Sequence, residues 1–164
     1  MRSKLLIGNA AYLLFGTTVY VGVLWALHFF WYPSWRVMTI AAAEDHFVAP
    51  TSAATKFFTV VVPLMFVTNL VLAWSERKHR RFLVAALVAL IGITGSTFVG
   101  QLFIIPINQE VHRGVSDPAH FSALMQRWMF LNDIRWVLMS VMWIALVYYF
   151  VARGRLAEAL DTPS

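Results

Sequence analysis

The sequence predicts an all-α integral membrane protein, a four-transmembrane-helix up-down bundle with two long outer loops carrying short interfacial helices. Three observations lead there. Of 164 residues, 60% are hydrophobic and only 13% charged, about half the charged share of an average soluble domain. The apolar residues fall into four long blocks rather than alternating with polar ones, so lipid rather than water is the solvent they suit. Most of the basic residues gather at those block ends that share one side, as membrane topology requires.

Residues 1–164 read as a single membrane domain. The first block runs from Leu5 to Trp31. Met1-Arg2-Ser3-Lys4 begins like a secretory signal, but the apolar run exceeds the roughly 7–15 residues of a signal core and reads as a retained helix. The second block is about Phe57–Trp74, the third Phe82–Ile105 and the fourth about Trp128–Val151. About 20 residues rising 1.5 Å each span a bilayer, and helices satisfy their own backbone in lipid. Arg2 and Lys4, then Arg77, Lys78, Arg80 and Arg81, then Arg153 and Arg155 all fall on one side, eight of the thirteen Lys and Arg residues. That side is expected to be cytoplasmic, with both termini inside, in a bacterial plasma membrane.

The opposite side carries loop A, about Tyr32–Lys56, and loop B, about Pro106–Arg127. Tyr32-Pro33 is expected to end the first helix, and Met38–Phe47 to form a short interfacial helix. Asp117-Pro118 has the cap-then-proline form of a helix start leading into the fourth helix. Phe29, Phe30, Trp31, Tyr32, Trp35, Trp128 and Phe130 read as the outer aromatic belt. Gly92, Gly95, Ser96 and Gly100 give the third helix a small-residue face for close packing, and Gly8 and Gly16 do the same on the first. Pro63 is expected to kink the second.

Polar groups inside a membrane are costly and point to function. Most lie in the outer half. Gln101 and Asn108 share a face of the third helix. Trp128, Asn132 and Arg135 form a stripe on the fourth, and Trp35 joins them if the first helix continues. These six are the candidate substrate-binding residues. Arg135, with Asp133 and Asn132 nearby, is either a buried ion pair or hydrogen-bonded clamp on loop B, or an anchor for a ligand's carbonyl, phenolate or carboxylate, which its fixed fork of donors suits. His28, His112 and Asp133 are the candidate acid–base residues. His28 is either a hydrogen-bonded interfacial histidine or a catalytic or metal-binding one. With Glu44, His46 and His112 it forms a nitrogen and oxygen donor set for copper, iron or zinc, although no established ligand spacing is present. His120 reads as solvated and His79 as part of the basic turn.

The absence of cysteine excludes disulfides and thiolate chemistry. The formal charge of +5 is explained by topology, and scattered Lys and Arg make no nucleic-acid motif. The expected partners are membrane lipid, a lipophilic small molecule and a second copy of the chain.

Tyr32-Pro33, Pro63 with Asn69, Pro106-Ile107-Asn108 and the spacing Trp128, Asn132, Arg135 together resemble the small four-helix membrane proteins related to fungal anthrone oxygenases. The resemblance covers almost the whole chain. It implies oxidation of an electron-rich, quinone-like aromatic by oxygen, with Asn108, Trp128, Asn132 and Arg135 around the ligand. Ile134 stands where some relatives carry a histidine before the arginine. The other functions compatible with the residues are a non-enzymatic ligand-binding protein, a small transporter or an assembly subunit.

Overall fold

The computed structural model describes the backbone of residues 2–161 and the side chains of residues 5–154. The side chains of Arg2, Lys4 and Arg155, used above for orientation, lie outside the described residues. Among the described residues there is no strand. Four helices are long and apolar enough to cross a membrane: α1, Leu5–Trp35; α2, Glu44–Ser75; α3, Arg80–Arg113; and α4, Pro118–Gly154. Each contacts two neighbours, α1 and α3 each packing on both α2 and α4. Contacts that climb α1 descend α4: Thr17 meets Met142, His28 meets Asp133 and Tyr32 meets Met129.

The helices are longer than the apolar blocks, because polar residues near each outer end stay helical. Loop A shrinks to the stretch between Trp35 and Glu44, where a three-residue 3-10 turn, Ile40–Ala42, replaces the expected interfacial helix. Loop B shrinks to the link around Gly114, whose φ of +96° suits glycine. Asp117 starts α4 as expected: its Oδ1 accepts from the Ala119 amide at 3.0 Å.

Prolines that should have ended helices do not. Tyr32-Pro33, Ala49-Pro50 and Ile105-Pro106 each follow a widened π-turn, at Leu27–Trp31, Glu44–Val48 and Gly100–Ile104 respectively. In each case the residue before the proline donates its amide to a carbonyl five residues back: Tyr32 to Leu27, Ala49 to Glu44, Ile105 to Gly100. The proline then falls in the first turn of the next helical segment, where its missing N–H and fixed φ cost little. The three wide turns all lie in the outer half of the bundle. Pro63, by contrast, sits inside the regular helix of α2.

Two apolar cores result. The inner one centres on the fully buried Leu13, Met65, Phe82, Ile93, Met142 and Leu146. Asn69 is also buried there; its amide donates to the Ala86 carbonyl (3.1 Å) and accepts from the Leu90 amide (2.9 Å), tying α2 to α3. The outer core is built on Trp35, Phe47 and Trp128, whose rings meet edge-on at 5.2–5.4 Å. Tyr32, Trp35 and Trp128, read above as belt residues, are therefore core; Phe29, Phe30, Trp31 and Phe130 are exposed, as a belt requires. At the inner end, Glu76 is buried and accepts from the Tyr149 hydroxyl at 2.9 Å. His79 and Arg153 also lie on it, at 3.3 and 3.5 Å. His79 thus has a specific carboxylate partner beyond its place in the basic turn.

The tightest approach is between α3 and α4 at Gly92, where an added Cβ would lie 2.8 Å from the Leu138 carbonyl oxygen and 2.9 Å from Met142 Cβ. Neither backbone can yield without separating the helices. Gly92→Ala should destabilise the protein by about 1–3 kcal/mol, read as a lowered thermal midpoint in detergent, while Gly22→Ala, which meets nothing within 4 Å, should not.

Candidate functional site

A cavity of about 900 Å³ opens in the outer half of the bundle. It runs from Tyr20, Pro63 and Thr97, level with the middle of the bundle, to Trp31, Val37 and His46 at the outer end. Tyr20 and Trp35 are fifteen residues apart on α1, which corresponds to roughly 22 Å of helix. Its walls are largely apolar, with Leu24, Leu27, Phe58 and Val62 among them. Thr51, Thr55 and Thr59 of α2 also line it, but each hydroxyl is committed to a backbone carbonyl one turn earlier, at 2.6–2.8 Å.

The hydrogen-bonded polar side chains of the cavity wall converge on one residue. Arg135 of α4 donates through Nη1 to Asn132 Oδ1 at 2.8 Å, through Nε to Ser96 Oγ at 3.5 Å, and through Nη2 to the Tyr20 hydroxyl. Tyr20, Ser96 and Asn132 are all buried. Gly100 of α3 lies beside the guanidinium: a Cβ there would be in ordinary contact with it, 3.7 Å from Cζ, Nε and Nη2. Asn132 is held in turn, donating to the Trp128 carbonyl at 3.0 Å, and the Trp128 indole N–H donates to Asn108 Oδ1 at 2.7 Å. A continuous chain of bonds therefore links α1, α3 and α4 along one wall.

All six residues singled out for substrate binding, Trp35, Gln101, Asn108, Trp128, Asn132 and Arg135, line this cavity. Arg135 does not form the buried ion pair weighed for it. Asp133, two residues away on the helix, points elsewhere: its Oδ1 lies 2.8 Å from His28 Nδ1. The His28 ring stacks on Trp136 at 4.7 Å and an interplanar angle of 11°. Neither His28 nor Asp133 lines the cavity, so this pair joins α1 to α4 behind the cavity wall. His112 is exposed near the end of α3.

The four-residue donor set is not assembled. His28 is engaged by Asp133, Glu44 and His112 are exposed, and only His46 reaches the cavity mouth. Glu44 and His46, two apart on a helical turn, diverge. Glu110 is taken by His120 at 2.6 Å, so His120 is not merely solvated. Among the described residues no three His, Asp or Glu side chains come together as a metal site.

Tyr20 and Ser96 were missed as site residues. Ser96 was legible only as a small packing residue. Tyr20 did carry a signal, a tyrosine in the middle of an apolar span and far from either belt, where a phenol has no interfacial role. Comparison with family models, curated proteins and solved structures finds no match to this chain.

Proposed function

We propose that this multi-pass membrane protein binds a lipophilic, quinone-like aromatic molecule in the outer cavity, with Arg135 donating hydrogen bonds to the ligand's oxygen. The observation that carries this reading is Arg135 itself: a guanidinium in an apolar bundle, facing a cavity of ligand size and bonded only to neutral groups among the described residues. Asp133, two positions away on the same helix, lies on a different face and is held by His28. Oxidation of the bound aromatic by oxygen is the second reading. It rests on the resemblance to anthrone oxygenases, whose implied contacts Asn108, Trp128, Asn132 and Arg135 share the cavity wall.

The test is titration of purified protein in nanodiscs with a hydroxyanthraquinone, followed by quenching of tryptophan fluorescence, with Trp35 and Trp128 at the cavity. Arg135→Gln removes hydrogen bonds from a charged donor, each of which is worth roughly 1.5–3 kcal/mol, so affinity should fall about ten- to a hundredfold. Unchanged affinity in this variant would remove Arg135 from the site. Turnover of an anthrone to its anthraquinone in the same preparation, read by absorbance, decides between binding and oxidation.

The basic inner ends support an orientation in which both termini face the cytoplasm and the cavity opens outward. The chain lacks cysteine, so single cysteines report position cleanly. In intact cells, His120→Cys should react with a membrane-impermeant thiol reagent and Lys78→Cys should not; the reverse pattern would invert the orientation.

A further inference from the structure

Arg135 does more than accommodate an oxygen; its surroundings constrain the ligand's charge. A guanidinium has five N–H donors. Three are used by Asn132, Ser96 and Tyr20, which leaves one on each terminal nitrogen. None of the three acceptors carries a charge. The described carboxylates are placed elsewhere: Asp133 on His28, Glu110 on His120, Glu76 on His79 and Arg153 at the other end of the bundle, Asp117 at the start of α4, and Glu44 exposed at the start of α2. Asp45 lines the outer part of the cavity but makes no ion pair with Arg135. The positive charge therefore stands uncompensated by any described side chain, in surroundings where an opposite charge is worth far more than in water.

Building on the binding reading above, we propose that the cavity selects a lipophilic anion, a carboxylate or phenolate on an apolar body, over the neutral form of the same molecule. The anion takes up the two free donors, which suits the fork geometry of guanidinium. The roughly 22 Å between the levels of Tyr20 and Trp35 leaves the apolar body running from Arg135 toward the cavity mouth, along the Leu24 and Phe58 walls. A neutral quinone would satisfy the donors but leave the bundle with its net charge.

The experiment uses the full chain in phosphatidylcholine nanodiscs, with affinities expressed per mole of lipid so that partitioning cancels. One arm compares anthraquinone-2-carboxylate with its methyl ester. The other follows the phenol of 2-hydroxyanthraquinone by the long-wavelength absorbance of its phenolate, bound and free. The carboxylate should bind at least about tenfold more tightly than the ester, or the bound phenol should ionise about one pH unit or more below the free one. The arm that responds identifies which anion the site prefers. Arg135→Lys should retain the preference and Arg135→Gln should abolish it. Equal binding of carboxylate and ester, with an unshifted phenol, would overturn the anion selectivity while leaving the cavity reading intact. A preference that survives in Arg135→Gln would also overturn it. Failure of every anthraquinone to bind would overturn both. Should Arg135→Gln not fold, the two wild-type comparisons decide the matter by themselves.

Discussion

The outer half of this protein depends on one partly buried cation inside an apolar bundle. Placing an arginine in the middle of a membrane helix costs roughly 2.5–3.5 kcal/mol on insertion scales. The cost falls when the guanidinium finds acceptors, and here three helices supply them: Tyr20 from α1, Ser96 from α3 and Asn132 from α4 itself. That requirement fixes the rotation of α1 and α3 about α4. Of the small residues on α3 at this level, Ser96 supplies a hydroxyl to the guanidinium, and Gly92 and Gly95 let α4 pack close at Leu138 and Met142. From Arg135 the bonds continue outward through Asn132 and Trp128 to Asn108, so the polar wall is ordered from the arginine to the cap.

α2 contributes no bond to that chain, and this is what leaves a cavity. It is tied to α1 and α3 in the inner half, through Asn9, Met65, Thr68 and Asn69. In the outer half it presents threonines whose hydroxyls are already satisfied. The π-turns in α1, α2 and α3 lie in the same half. Each inserts a wide turn before an X-Pro pair and carries the helix past a proline that would otherwise break it. The helices consequently run on past the prolines, and Trp35, Phe47 and Trp128 pack together in the outer core beside the cavity.

Much of this was legible in the sequence. The four spans follow from block hydropathy, and the cavity residues follow from helical spacing on α3 and α4, because period 3.6 holds wherever a helix is regular. What failed was local. Tyr32-Pro33 and Pro106 read as helix ends because a proline rule says nothing about a π-turn upstream of it. That error lengthened both loops and placed Trp35 and Trp128 at a lipid interface. The donor set His28, Glu44, His46 and His112 failed for a different reason: residues with metal-binding chemistry are common near membrane surfaces, and only tertiary placement showed that His28 belongs to Asp133 while Glu44 and His112 stay exposed and apart. Tyr20 stood out as a phenol in the middle of an apolar span, but no helical spacing ties it to the other polar residues. Its partner is 115 positions away in the chain.

The central claim is that Arg135 is held by neutral groups and not by a carboxylate. Solid-state NMR of the protein in lipid, labelled with carbon-13 and nitrogen-15, measures this directly through correlations from the Arg135 guanidinium nitrogens. The account predicts cross-peaks to the Tyr20 ring and the Asn132 side-chain amide, with none to an Asp or Glu carboxyl carbon. A strong cross-peak to the Asp133 carboxyl would contradict it, returning Arg135 to an ordinary internal ion pair and leaving the cavity without its anchor.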